Sequence, residues 1–174
     1  GGGGRLGGDP AGGAPARIKW LNDIYLNNRK LCGILTELSL LGESSEPDYV
    51  VIGVGINLSQ TAQTFHDLGL EGIATSLALE GYEVEPNHMA LTLLQELHTM
   101  AQHFPSHHEE YLHQYRSHCL TLHQPVEVET SKETYQAMAQ AILPDFSLEV
   151  TDQQGFTHPV SSGRVTPHFL RANS

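Results

Sequence analysis

The chain has 174 residues, 39% hydrophobic and 17% charged, proportions that suit a globular protein with a real core. Its net charge of −11, with nine Lys and Arg spread along it, argues against nucleic acid, which needs clustered cations to neutralise phosphates. No run of roughly eighteen apolar residues occurs, so no membrane partner is expected.

Residues 1–16, GGGGRLGGDPAGGAPA, are almost wholly Gly, Ala and Pro and predict a disordered leader. A phosphate-cradling reading of those glycines fails because no strand precedes them. Residues 17–58 read as β-structure, with short strands over Arg17–Trp20 and Ile24–Leu26 and an Asn-rich turn at NNRK. A longer strand follows over Leu31–Leu41, then a polar turn at LGESSEPD and a third strand over Tyr49–Leu58. The run YVVIGVGINL is apolar on both sides of the pleat, which predicts a central strand covered on both faces. IATSLALE suggests a short helix. Asn87 is the expected cap of a helix whose apolar stripe is Ala90, Leu94, Leu97, Ala101 and Phe104. Pro105 ends it, and Ser106 with Glu109 has capping-box spacing for a further helix burying Leu112, Tyr115 and Cys119. After about Leu120 the period shortens to two. Val126 and Val128 alternate with Glu127 and Glu129, Phe146, Leu148 and Val150 follow the same rule, and DQQG is a turn. A small barrel-like β-appendage of about fifty residues is expected there.

Chemistry-bearing residues concentrate early. Lys19, Trp20, Asn22 and Asp23 lie where a strand ends and the chain turns, a common place for ligands. Gly53 and Gly55 interrupt a β-branched strand, and Gly33 does so in the strand before it. Glycine weakens a strand, so a ligand or a second backbone approaching closely is one explanation, and a bulge or packing is the other. Asn57 ends its strand and suits a turn. By spacing alone Lys19 reads as an edge lysine reaching for water. The eleven histidines do not make a metal site. His108 and His113 are five apart, about 140° around a helix, so they share no face, and His98 and His103 fail likewise. No protein-held metal is expected. No GxSxG or cysteine-nucleophile signature occurs. Cys32 and Cys119 form no CxxC pair and fit a reducing compartment.

The segment KWLNDIYLNNRKLCGILTEL resembles the KWPND…RKLxGIL signature of biotin–protein ligases (holocarboxylase synthetases), and VVIGVGINL resembles their GxGIN signature. QPVEV and SSGRV are similar to the opening and closing strands of that family's SH3-like C-terminal domain. The resemblance implies an α/β fold, a mixed sheet with helices packed on it as in class II synthetases, then a small SH3-like β-barrel. The corresponding divisions are a leader 1–16, a partial catalytic domain 17–119 and the β-domain 120–174. It also implies ATP and biotin as substrates, Mg²⁺, biotinyl-5′-AMP as intermediate, and transfer to a lysine of a carboxylase's biotin carboxyl carrier domain. Lys19 would then meet the biotin carboxyl and α-phosphate as the catalytic cation. Trp20, Asn22, Gly33, Gly53 and Gly55 would line the substrate and nucleotide site, with Asn57 by the adenine. Asp23 would shape the turn that presents Lys19. A homodimer is compatible with the resemblance, and a cytoplasmic location is expected.

Three features depart from the family pattern. Leu21 replaces the usual Pro, the β-domain lacks some glycines, and GGGGRLGG with its single Arg5 does not match the family's GRGRxGR loop. The chain does not begin with Met and reads as a C-terminal fragment. Loss of such phosphate donors, at about 10²–10³ in rate for one donor, leads to an expectation of weak activity or none. The alternatives are a lipoate-type ligase, a non-catalytic remnant that folds or binds a carrier, and a His-rich metal protein.

Overall fold

The computed structural model describes residues 16–40, 42 and 47–171. Apart from Ala16, the expected leader lies outside the described residues, as does most of the LGESSEPD turn.

Four strands form an antiparallel sheet in chain order: β1 (Arg17–Lys19), β2 (Asp23–Leu26), β3 (Arg29–Leu40) and β4 (Pro47–Ile56). Asn27 and Asn28 take φ of 50° and 60°, the left-handed pair that a two-residue hairpin turn demands and that asparagine tolerates. The expected centrality of the VVIGVGIN strand is corrected. Among the described residues β4 is an edge strand, paired to β3 alone. Tyr49, Val50, Val51 and Ile52 are about half exposed.

Two other expectations change. IATSLALE is not helical: Lys30 N–H donates to the Ile73 carbonyl at 2.8 Å and Thr75 N–H to the Lys30 carbonyl at 2.9 Å. The segment bridges to β3 at Lys30, its Leu77 and Ala78 N–H groups donate to the Asn57 and Leu58 carbonyls, and these bonds satisfy its backbone as a helix would while Thr75, Ser76 and Leu77 are buried. The Glu80 carboxylate accepts from Arg29 Nη2 at 2.6 Å, Thr75 Oγ1 at 2.6 Å and Asn27 Nδ2, which ties the segment to the β2–β3 turn. A short helix that the sequence reading did not anticipate, α1 (Ala62–Asp67), lies just before it, capped by Thr61.

The long helix α2 (Pro86–His103) is capped by Glu85, whose carboxylate accepts from His88 N–H at 2.8 Å, with Pro86 as its first residue. Asn87, the expected cap, is inside it. Its half-buried residues are Met89, Leu93, Leu97 and Met100, while Leu94 is 64% exposed. Two stripes one residue apart compete on this helix, share Leu97, and are not distinguished by a 3.6-residue period. Helix α3 (His108–His118) buries Leu112 and part of Tyr115, and Cys119 beyond its end is buried too. The Ser106 capping box does not form. That hydroxyl meets the His103 carbonyl and His107 Nδ1 in the turn between the helices.

The C-terminal part is a five-stranded antiparallel sheet in the order β8-β7-β6-β5-β9. Its strands are β5 (Pro125–Glu129), β6 (Thr134–Ile142), β7 (Leu148–Asp152), β8 (Thr157–Val160) and β9 (Arg164–Pro167), followed by a one-turn helix, α4 (His168–Arg171). Val126, Val128, Leu148 and Val150 are fully buried, as the alternation predicts. Gly163 joins β8 to β9 with φ of +100°, and a Cβ there would sit 2.3 Å from the Glu129 carbonyl oxygen, so only glycine fits. The architecture is α/β, with a C-terminal β-rich part that fits an SH3-like domain.

One residue ties the two sheets together. Trp20 is 2% exposed and shares a core with Leu112, Cys119 and the inward valines of the C-terminal sheet. Its indole Nε1 donates to the Phe146 carbonyl at 2.9 Å, and its backbone N–H donates to Thr121 Oγ1 at 3.0 Å. Leu120 N–H donates to the Ile18 carbonyl at 2.8 Å, and Tyr115 hydroxyl donates to the Leu21 carbonyl at 2.9 Å. Residues 18–21 are thereby held from both sides. Trp20→Ala is expected to cost about 3–5 kcal/mol in chemical denaturation, and a loss under about 1 kcal/mol would contradict the tie.

Candidate functional site

Fixing residues 18–21 has a consequence for Lys19. The residue is 5% exposed, and among the described residues its ammonium, which still touches the cavity, has neither hydrogen bond nor ion pair. A buried unpaired cation is costly. Burial pulls the Lys19 ammonium below its ordinary value of 10.5, Asp23 opposes that pull, and the neighbouring Lys30 and Arg164 add to it. An anion entering the cavity that Lys19 lines would relieve it.

Strand register builds that cavity. Lys19 pairs with Asp23, Asp23 with Gly33, and Gly33 with Gly55. Paired residues share a face, so four strands contribute one cross-strand row of Lys19, Asp23, Gly33 and Gly55. At about 4.8 Å per strand the row spans about 14 Å. The row beside it, Ile18, Ile24, Cys32 and Ile56, faces the other way. On that side Ile24, Cys32 and Ile56 line an apolar cavity of about 350 Å³ shared with Leu93 and Leu97 of α2.

Two cavities lie along the charged row. One, of about 360 Å³, is lined by Lys19, Asp23, Tyr25, Lys30, Ile73 and Arg164, among others. The other, of about 320 Å³, is lined by Lys30, Cys32, Gly33, Gly55, Asn57 and Ile73, among others. Lys30 and Ile73 belong to both. A Cβ on Gly53 or Gly55 would meet nothing nearer than a carbonyl oxygen at 3.8–3.9 Å, an ordinary contact. No register shift occurs at either position. Neither packing nor a bulge requires glycine there.

The structure brings Lys19, Gly33, Gly55 and Asn57 to these cavities. Gly53 lies on the same face, two residues along β4 from Gly55. Trp20 is a correction. Its ring is turned into the core and lines neither cavity, so its part is to position Lys19. Asn22 is exposed and contributes its backbone carbonyl, which accepts from Ile34 N–H at 2.9 Å. Asn57 donates from Nδ2 to the Thr75 carbonyl at 3.0 Å and so pins the extended segment along the cavity wall.

Asp23 does more than shape a turn, since its Oδ1 is 2.9 Å from Lys30 Nζ. With desolvation it also pushes the Tyr25 hydroxyl up to about 12. Sequence reasoning missed Lys30, read only as turn chemistry beside Arg29. It also missed Arg164, which no local signal marks. Arg164 is held by Glu129, 2.9 Å from its Nε. Among the described residues no cluster of three or more His, Cys, Asp or Glu could hold a metal. Asp23, the one carboxylate among the described residues lining the Lys19 cavity, is already paired, so that lining does not fit a resident Mg²⁺.

The Biotin/lipoate A/B protein ligase family model matches residues 10–57, the stretch carrying the row. The chain is 44% identical over 70 residues to the bifunctional ligase/repressor BirA of Bacillus spizizenii, covering 40% of this chain and 21% of that one. It is 38% identical over 81 residues to BirA of Escherichia coli, covering 47% and 24%. Against the biotin–[acetyl-CoA-carboxylase] ligase of Mycobacterium tuberculosis it is 32% identical over 117 residues, covering 67% and 40%. The matches thus span well under half the length of these relatives. In fold, it superposes on the apo biotin protein ligase of Aquifex aeolicus with a TM-score of 0.72 at 21% identity, covering 87% of this chain and 64% of that one. The same ligase in complex with biotin and ATP gives 0.68 at 20%, covering 87% and 61%. Signature, family match and fold thus all show similarity to biotin–protein ligases, the sequence match being confined to part of the chain and of its relatives.

Proposed function

We propose that this chain carries the adenylate-forming face of a biotin–protein ligase. It would activate biotin with ATP to biotinyl-5′-AMP and pass the biotinyl group to a lysine of a biotin carboxyl carrier domain. The observation that carries this reading is the buried, unpartnered Lys19 at the end of a glycine-floored row. The biotin carboxylate oxygen attacks the α-phosphorus, the bond to the β-phosphate oxygen breaks, and pyrophosphate leaves. Negative charge grows on the non-bridging α-oxygens, where a fixed ammonium is worth most in a water-poor site. Lys19 is suited to that place because its backbone is clamped on both sides, so little reorganisation is needed when the charge develops.

In the second half, the carrier amine attacks the acyl carbon of the mixed anhydride. The acyl–phosphate bond breaks, AMP departs with the charge, and the amine's proton goes to solvent. Lys19 again faces the departing phosphate. Gly33, Gly53 and Gly55 would let the flat, extended acyl-adenylate lie against backbone. Asn57, with its side-chain oxygen still free to accept, would stand by the adenine amino group. The single carboxylate of the cavity leaves Mg²⁺ to come as the ATP complex. An acceptor carrier is the one protein partner this reading requires.

Incubation with biotin, Mg·ATP and a carrier domain, followed by streptavidin detection, tests the reading. Weak labelling is expected from the wild type, with competition by biotin and not by lipoate, and a fall of at least about 10² in Lys19→Met. Labelling that survives unchanged in Lys19→Met would overturn the role of Lys19. The same variant should be more stable than the wild type when empty, by about 1–2 kcal/mol, because it removes a buried charge. The Lys19 pKa is lowered in the folded state, so the unfolded chain holds the extra proton between the folded value and 10.5, and the wild type recovers stability as pH rises through that window. Denaturation at neutral and alkaline pH should show the gain of Lys19→Met shrinking upward, and a gain independent of pH would contradict it. Gly55→Ala should leave stability within about 0.5 kcal/mol while weakening biotinyl-adenylate binding; undiminished binding would return Gly55 to a packing role.

A further inference from the structure

The chain contains three lysines, Lys19, Lys30 and Lys132, and two of them stand in one site. Lys30 differs from Lys19 in every physical respect that governs movement. Its backbone is fixed, donating to Ile73 and accepting from Thr75 at 2.8 and 2.9 Å. Its ammonium is not buried: the side chain is 43% exposed and ends 2.9 Å from Asp23 Oδ1, itself 26% exposed. Such a part-exposed pair is weak and easily exchanged. The stem also crosses the glycine floor, because a Cβ built on Gly33 would meet Lys30 Cε at 3.3 Å and Nζ at 3.4 Å. Lys30 therefore lies on the row, between the two cavities that both include it. A ligand long enough to fill both cavities cannot pass over Gly33 with Lys30 where it is.

We propose that Lys30 is a latch and a second phosphate-binding residue. Its ammonium rests on Asp23 while the site is empty, and moves to the ligand's phosphate, beside Lys19, when an acyl-adenylate spans the two cavities. The inference rests on the adenylate reading above. Exchange of one carboxylate for a phosphate keeps the ammonium paired throughout, so the move carries no unpaired intermediate charge into a buried place. Gly33 matters here because its missing side chain gives the stem room to swing.

The test is equilibrium titration of the full chain with a hydrolysis-resistant phosphonate analogue of biotinyl-5′-AMP, with adenosine as the uncharged comparison. Wild type and Lys132→Met, which removes the same charge from an exposed turn, should bind alike. Lys30→Met should bind the analogue about tenfold more weakly with a shallower salt dependence, bind adenosine as the wild type does, and be rescued largely by Lys30→Arg. With three lysines, the Lys30 side-chain carbon resonance is assignable, and it should shift on adding the analogue and not on adding adenosine. Wild-type binding left unchanged by Lys30→Met, or a Lys30 resonance that does not move, overturns the latch alone. A wild-type chain that does not bind the analogue overturns the adenylate reading and the latch with it.

Discussion

Everything distinctive about this molecule depends on Trp20 being on the inside. Its ring fills the core between α3 and the C-terminal sheet, and its indole hydrogen bond reaches Phe146. Trp20 follows Lys19 where β1 ends and the chain turns, so seating its ring in the core fixes the strand end that carries Lys19. The apolar contacts of one residue hold the charge of its neighbour in a place it would not choose. The C-terminal sheet supplies the wall against which Trp20 packs, and Arg164, which is held by Glu129 and lines the Lys19 cavity.

The second constraint is register. Residues 19, 23, 33 and 55 are unevenly spaced in sequence, yet antiparallel pairing lays them side by side. A one-residue slip of β3 would replace Gly33 on the ligand face by Cys32 or Ile34 and fill the floor. The Asn27–Asn28 turn sets the pairs Leu26–Arg29 and Tyr25–Lys30, and a register shift beyond Tyr25 then brings Gly33, not Cys32, opposite Asp23. The Glu80 carboxylate reinforces the turn by joining it to the segment around Thr75. The GIN end of β4 then delivers Asn57 to the same wall.

Local chemistry made much of this legible in advance. The strands of residues 17–58, the asparagine turn, the buried valines of β5 and the DQQG turn follow from period and turn propensity, which act over a few residues. Lys19 and the glycines could be singled out as unusual, but composition left them between packing and function. What decided their arrangement was long-range: Trp20 pairs with residues about a hundred positions away. For the same reason Trp20 was misread as a ligand contact, Lys30 was overlooked inside a turn, and Arg164 gave no signal. The Ile73–Glu80 segment went wrong because β3, Asn57 and Leu58 offer its backbone better partners than itself. The stripe on α2 was one residue out because its sequence supports two. The edge position of β4 could not be read from its apolar run, since that run fits a covered strand and an uncovered one equally well.

The central claim is that Lys19 is a buried cation waiting for a phosphate, and its own titration tests this most directly. With lysine side chains isotopically labelled, the Lys19 ammonium can be titrated in the empty protein and again with the bound phosphonate adenylate. The account predicts a value below the ordinary 10.5 in the empty protein, moving upward once the anion is in place. An ordinary value in the empty protein, or one that the bound anion leaves unchanged, would contradict it.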